Sequence, residues 1–344
     1  MMNMKNPIPI SLLELAIITQ DSDASETMQK TKELAQLADG LGYKRFWLAE
    51  HHNMAHVAST ATVVLIGFIA SQTKNIRVGS GGIMLPNHSP LIIAEQFGTL
   101  GILYPDRIDL GLGRAPGTDS LTAQAIRPDF FEESQRFPKN VSALQDYFSE
   151  ANATAKVRAF PAEGTNVPIW ILGSSMDSAT LAAAYGLPYA FAGHFAPRLM
   201  IQAFEFYRDN FKPSAYLDKP KSMACVNVIA ADTDSEAEVL STSLYQMFQN
   251  LVQNTRKPLQ PPVDSLTNLM NDMSEEARFH VNQMTAGSFI GSRETLTKEL
   301  KEFIRHSRVD ELMITSPIFS HQDKLKSLKI TKEVIDGINE TVLI

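Results

Sequence analysis

An α/β fold, a (β/α)8 TIM barrel with insertions, is predicted for this 344-residue chain by three features. Strand-like apolar runs alternate with helix-like runs from end to end, an order that implies a parallel sheet. Eight such units fit this length, whereas a doubly wound open sheet usually has fewer strands and a shorter chain. Chemically informative residues collect just past the strand ends, where barrel enzymes build their sites.

Strands are expected at 12–18, 45–49, 76–80, 108–111, 169–172, 189–192, 223–230 and 311–315. The first helix, 24–41, shows the logic of the intervening elements. Its Leu34, Leu37, Ala38 and Leu41 repeat at three and four residues, and Gly42 supplies a stop. Comparable signals place helices at 60–71, 90–103, 129–148, 175–185, 197–211, 235–251 and 293–306, with a closing helix from Gln322 onward. No repeat, low-complexity tract or linker divides the chain, which reads as one domain over 1–344. Residues 252–289 fit poorly, since KPLQPP, several amides and methionines leave only partial helical periodicity. A stretch that long reads as a mobile active-site lid or as a plain surface excursion. Trp47 and Trp170, inside strands, are expected between sheet and helices, and Cys225 as a buried inert thiol.

Composition removes whole classes of function. One cysteine admits no internal disulfide, and no Cys/His cluster has finger spacing, so the cytoplasm is the expected compartment and structural zinc is not. A net charge of −7 with lysines scattered among acids gives a nucleic acid nothing to track. The longest apolar stretch, 57–70, is interrupted by Ser59, Thr60 and Thr62 and falls short of the roughly 20 residues a membrane span requires. The opening MMNMKNPIPISLLELAII reads as a first strand rather than a signal peptide, because Glu14 breaks it and no small-residue cleavage site follows.

Glu50, His51, His52 and Asn53 follow the second strand, Ser80, Gly81 and Gly82 the third, and Gly113 and Arg114 the fourth. Gly173, Ser174 and Ser175 follow the fifth, Gly193 and His194 the sixth, and Thr315 and Ser316 the eighth. Ser174 and Ser175 sit where a strand turns into a helix, so free N–H groups and hydroxyls there make an anion seat for a phosphate. Serine at such a turn also serves as an N-cap. Arg114 at the neighbouring strand end can pair with the same phosphate; its other role is a salt bridge to Asp106, Asp109 or Asp119. Gly79, Gly81 and Gly82 let a flat ligand approach the backbone, or form a tight turn or bulge. His51 and His52 point to opposite faces of an extended segment, so one enters the barrel mouth, and Glu50 can orient or charge one of them. GLGRAPG misses the dinucleotide fingerprint, because the third glycine arrives late at Gly117 behind Pro116. A metal hydrolase is disfavoured: the first strand end carries AIITQD rather than a His-x-His pair. His56, His88 and His194 line the site or serve as surface and capping histidines. Met54, Met84, Phe130 and Phe131 line a pocket or belong to the core.

The motifs WLAEHHN, VGSGGIMLPNHSP, DLGLGRAPGTD, PIWILGSS and GHFAP, in this order, resemble the bacterial luciferase-like flavin-dependent monooxygenase family, in its single-gene subgroup. The likeness runs from Leu12 to about His321. It implies a luciferase-like (β/α)8 barrel that binds reduced FMN, or in some branches F420, at its C-terminal mouth. By this resemblance His51 occupies the position of the histidine that supports turnover of the flavin peroxide, with Glu50 and His52 beside it in the catalytic set. Gly81 and Gly82 match a pair joined by a non-proline cis peptide behind the flavin ring, next to Ser80. Arg114 and Ser175 match phosphate contacts, with Gly173 and Ser174 adjoining. Met54 and His194 fall on the substrate pocket. Ser174 replaces an acidic residue of luciferase and Gly113 its reactive cysteine, which argues against light emission and a long-chain aldehyde substrate. The resemblance implies FMNH2 delivered by a separate flavin reductase, reaction with O2, oxygenation of a small organic substrate, no bound metal, and a homodimer. An F420-dependent hydride-transfer oxidoreductase and a non-catalytic flavin-binding protein are the alternatives.

Overall fold

The computed structural model describes residues 7–341, so the ends of the expected 1–344 domain lie outside the described residues. Ten strands form: β1 (Ile10–Glu14), β2 (Arg45–Leu48), β3 (Arg77–Ser80), β4 (Ile83–Met84), β5 (Ile108–Gly113), β6 (Ile169–Gly173), β7 (Tyr189–Ala192), β8 (Ser222–Ala230), β9 (Ser288–Gly291) and β10 (Glu311–Thr315). Parallel pairing runs β1, β2, β3, β5, β6, β7, β8, β10, and β10 returns to β1, closing an eight-stranded barrel. These eight are the expected strands. The two extra ones are short: β4 pairs with β5 at Ile83↔Leu112, and β9 lies along the outer end of β8 from Asn227↔Ser288 to Ala230↔Gly291. The length of β8 permits this, since β7 pairs with it only as far as Cys225 and β9 takes up the same edge from Asn227.

The helix Ala24–Gly40 shows how local sequence makes each outer element. Asp23 caps it by accepting from the Glu26 N–H at 2.8 Å, and Thr27, Thr31, Leu34, Ala35 and Ala38 form its buried face. The chain then leaves through Gly42 in the left-handed region, φ 77°. The helix expected over 129–148 is instead two, Phe130–Gln135 and Phe137–Phe148. Pro138 explains the break, because proline donates no N–H and is tolerated only in a first turn. Within 252–289 the irregular part shrinks to 253–265, followed by helices Leu266–Asn271 and Glu275–Thr285 and the start of β9. Ser265 and Ser274 cap those two helices, a local signal that the poor apolar periodicity hid.

Side-chain alternation along the strands divides the core in two. Phe46 and Leu48 of β2 face the helices with most of the buried apolar residues, whereas Trp47, Trp170, Leu13, Met223, Cys225 and Met313 fill the barrel itself. Trp47 and Trp170 therefore lie inside the barrel, not between sheet and helices as expected, because an eight-stranded interior must be filled by side chains. They meet edge to face at 5.5 Å. Beneath them, at the strand starts, Arg45 donates to Asp109 at 2.5 Å and to Glu311 at 2.8 Å, and Arg77 donates to Asp109 at 2.7 Å. Cys225 is buried as expected, and burial pushes its thiol pKa up, away from thiolate chemistry.

Candidate active site

At the opposite, C-terminal end of the barrel lies a cavity of about 870 Å³ with a mostly apolar wall. Its size is within the range that holds a cofactor or drug-sized ligand. His51, Met54, Gly81, Gly82, Arg114, Gly173, Ser174, Ser175 and His194 all line it, so five strand ends converge as the sequence suggests. Phe130, Met84 and His56 line it as well, whereas Phe131 is 61% exposed. Among the described residues no group of three or more His, Cys, Asp or Glu side chains is arranged to hold a metal ion.

The run after β2 separates its two histidines. Glu50, only 1% exposed, accepts from His52 Nε2 and from His88 Nε2, each at 2.8 Å, and from the Met84 backbone N–H at 3.2 Å. Burial alone would raise the Glu50 pKa, but the two imidazole hydrogen bonds outweigh it and bring it down to about 2. Glu50 and His52 thus stand behind the wall rather than on it, and the carboxylate holds His52 and His88 rather than His51. His51 faces the cavity. Burial lowers its pKa to about 4, and its Nδ1 has no hydrogen-bond partner among the described residues. His194 enters at the end of β7, on the far side of the barrel, with burial holding its pKa at about 3 and its Nδ1 likewise unpartnered. Two neutral imidazoles therefore line one apolar space, each with its Nδ1 buried and unpartnered.

The glycine turn after β3 holds the non-proline cis peptide, Gly81–Gly82, that the family resemblance implies. Ser80 is placed differently: its hydroxyl donates to the Gly111 carbonyl at 2.8 Å and accepts from the Gly111 N–H at 3.0 Å, so it ties β3 to β5 rather than facing the cavity. Gly113 leaves room for a neighbour. A Cβ there would lie 2.9 Å from Met84 Sδ, so the thioether of β4 fills the place that a side chain at 113 would take.

The expected phosphate seat falls at the N-terminus of the helix Met176–Tyr185. Ser175 stands in the N-cap position but its side chain makes no capping hydrogen bond, so the first-turn N–H groups stay open to the cavity. Arg114 reaches across to Asp177 at 3.2 Å, not to Asp106, Asp109 or Asp119. Both partners of this pair are more than half exposed, and such pairs contribute about 0–1 kcal/mol, little enough for a doubly charged phosphate to displace the carboxylate. The pairing of Arg114 with Asp177 is not legible in the sequence, because it depends on which strand lies beside β5.

A strap crosses the mouth. Arg256 donates to the Asn53 carbonyl and to Asp119, each at 2.8 Å, and Leu259 exchanges backbone hydrogen bonds with Ile18 and Gln20. Asn250, Leu251, Asn254, Thr255 and Lys257 line the cavity from this side, a contribution not foreseen residue by residue. Limited proteolysis checks the mobility of the strap: saturating FMN is expected to slow cleavage within 253–265 several-fold, and equal rates with and without FMN would dismiss the lid.

Comparison with known proteins places this geometry. Residues 11–311 match the family model for luciferase-like monooxygenases. The Escherichia coli (strain K12) protein named luciferase-like monooxygenase is 46% identical over 327 residues, 95% of this chain and 97% of its own. The crystal structure of apo-MsnO8 superposes with a TM-score of 0.85 at 32% identity, over 96% of this chain and 98% of that one. The oxygenating constituent of 3,6-diketocamphane monooxygenase from Pseudomonas putida, in complex with FMN, superposes with a TM-score of 0.70 over 96% and 98% of the two chains. At 17% identity it is a likeness of fold alone.

Proposed function

The chain belongs to the luciferase-like monooxygenase family, and on that premise we propose that it uses FMNH2 and O2 to oxygenate a small organic substrate. The observation that carries this reading is one cavity lined together by Gly81, Gly82, His51, Arg114, Ser174 and Ser175. Reduced FMN, when bound, supplies the electrons that activate O2 for transfer of one oxygen atom. Arg114, Ser174, Ser175 and the open helix N-terminus bind its phosphate, Gly173 leaves the approach clear, and Gly81 and Gly82 back its ring. His51 presents a neutral imidazole to the cavity that holds or passes a proton at Nε2, its Nδ1 being buried, and stabilises a developing oxyanion. Met54 and His194 contact the substrate. The strap at 253–265, part of the lid assigned to 252–289, excludes water.

The 46%-identical Escherichia coli relative, named a luciferase-like monooxygenase, supports oxygenation over F420-dependent hydride transfer. The substrate-facing cavity carries no nicotinamide fingerprint in its sequence, which supports a separate reductase as the source of FMNH2. Exposed Val64, Ile92 and Leu103, on the first-half helices Thr62–Gln72 and Pro90–Leu103, support a homodimer. Among the described residues no helix is long and apolar enough to cross a membrane; we place the enzyme in the cytoplasm, away from membrane and nucleic acid.

Equilibrium titration with oxidised FMN, photoreduced FMNH2 and F420, followed by exposure of the reduced complex to O2, tests the reading. Preference for FMNH2 with O2 uptake is expected. Tight F420 binding with hydride transfer from alcohols and no O2 uptake would move the reaction to that class; flavin bound without O2 uptake would leave a non-catalytic flavin-binding protein. Arg114→Ala is expected to remove charge-assisted hydrogen bonds of about 1.5–3 kcal/mol, weakening FMN roughly 10- to 150-fold. Riboflavin, which lacks the phosphate, should bind equally to variant and wild type. An equal loss for both ligands would place the phosphate elsewhere.

A further inference from the structure

Met84, Met54 and Met247 put three thioethers into the wall of the cavity. The remaining eight described methionines are either buried, as are Met200, Met223, Met273 and Met313, or half-buried away from it, as are Met28, Met176, Met270 and Met284. Met84 is the one packed against the cofactor machinery. Its Sδ abuts Gly113, 2.9 Å from where a Cβ would stand, and its Cγ lies 3.1 Å from the corresponding point on Gly117. The loop between those glycines carries Arg114, and it is pinned from below: His52 N–H donates to the Gly117 carbonyl at 3.1 Å and Asn87 Nδ2 to the Pro116 carbonyl at 3.0 Å.

We propose that Met84 is a redox-modification site: hydrogen peroxide formed inside the cavity when no substrate is present converts it to the sulfoxide, and the oxidised side chain weakens flavin binding. The inference rests on the functional reading above, which supplies the oxidant. Reduced FMN and O2 give oxidised FMN and H2O2. A lone pair on Met84 sulfur then attacks one peroxide oxygen, the S–O bond forms as the O–O bond breaks, and the departing hydroxide takes the remaining proton as water. The sulfur is oxidised by two electrons and the peroxide reduced by two.

Geometry says why this matters. A thioether is apolar and pliable, whereas the sulfoxide is polar and carries one more heavy atom. On the Gly113 side that atom has no space unless the Arg114 loop shifts. On the cavity side it projects a strong dipole into the volume assigned to the flavin. Both orientations lower flavin affinity, so turnover without substrate limits itself, and methionine sulfoxide reductase restores the enzyme.

The experiment cycles the FMN-loaded protein through photoreduction and O2 without substrate, with catalase present to remove peroxide from bulk solution, and follows each methionine by peptide mass spectrometry. Oxidation of Met84 ahead of Met28, Met176, Met270 and Met284 is expected, with FMN affinity falling on the order of tenfold and recovering after methionine sulfoxide reductase. Met84→Leu is expected to keep its own FMN affinity through the same treatment. Met84 left unmodified while O2 is consumed, or oxidised with FMN affinity unchanged, overturns the inference. If no O2 is consumed it is the functional reading that fails, and H2O2 added directly to the apoprotein then decides whether oxidised Met84 weakens FMN binding.

Discussion

His51→Ala is expected to lower oxygenation about 100-fold or more while leaving FMN affinity within a few-fold of wild type. The released H2O2 should rise toward one per O2 consumed. The imidazole faces the cavity, so its loss removes a proton carrier while Arg114, Ser174 and Ser175 stay in place. Burial sets its pH behaviour, since a pKa of about 4 keeps the ring neutral at physiological pH. With respect to this group the rate should be flat from pH 6 upward and fall as pH drops toward 4. Stability follows the same sign. The unfolded chain takes up the proton near pH 6.5 and the folded one only near 4, so stability is lost progressively as pH falls through that window. A rate and coupling unchanged in His51→Ala would dismiss the assignment. His52→Ala is a different experiment: it opens a hydrogen bond to buried Glu50 and should loosen the wall, so thermal stability and FMN affinity fall together.

Asp109→Ala is expected to cost about 3–5 kcal/mol of folding free energy, the usual result of removing one partner from a buried charge network. Asp109 is wholly buried and accepts from Arg45, Arg77 and Trp47 Nε1. Without it the Arg45 guanidinium, also buried, keeps only Glu311 and its contact 4.9 Å above the Trp170 ring. Burial would raise the Asp109 pKa, but the two guanidiniums outweigh it and hold the carboxyl below its ordinary range. The network's contribution is therefore present above the unfolded carboxyl pKa and lost only in acid, as pH falls through the lower folded value. Urea denaturation at neutral pH measures the cost, and a loss under about 1 kcal/mol would contradict this account. The folded fraction should bind FMN normally, because the network lies at the far end of the barrel from the cavity.

Much of the architecture follows from patterns that need only near neighbours. Apolar runs of period two, helices of period 3.6 and the stops between them place all eight barrel strands, and the phase of polar residues after them marks the mouth. Resemblance in ordered motifs adds the Gly81–Gly82 cis peptide and brings Arg114 and Ser175 to one cavity. What a strand faces is another matter. Inside and outside of a barrel are both apolar, so Trp47 reads the same whether it fills the interior or packs under a helix, and only closure of the sheet puts it opposite Trp170.

The same limit governs the site. Which of two adjacent histidines enters the cavity depends on a carboxylate and a partner, His88, that arrives from another unit 38 residues beyond Glu50. Asp109 leaves Arg114 because Arg45 and Arg77 come to it at the strand starts, and Asp177 takes its place because β6 pairs beside β5. Chain-local chemistry settles which residue types stand at the mouth. Burial, pairing and charge are properties of what the fold brings alongside, so the neutral His51, the ionised Glu50 and the strap held by Arg256 exist only once the barrel has closed.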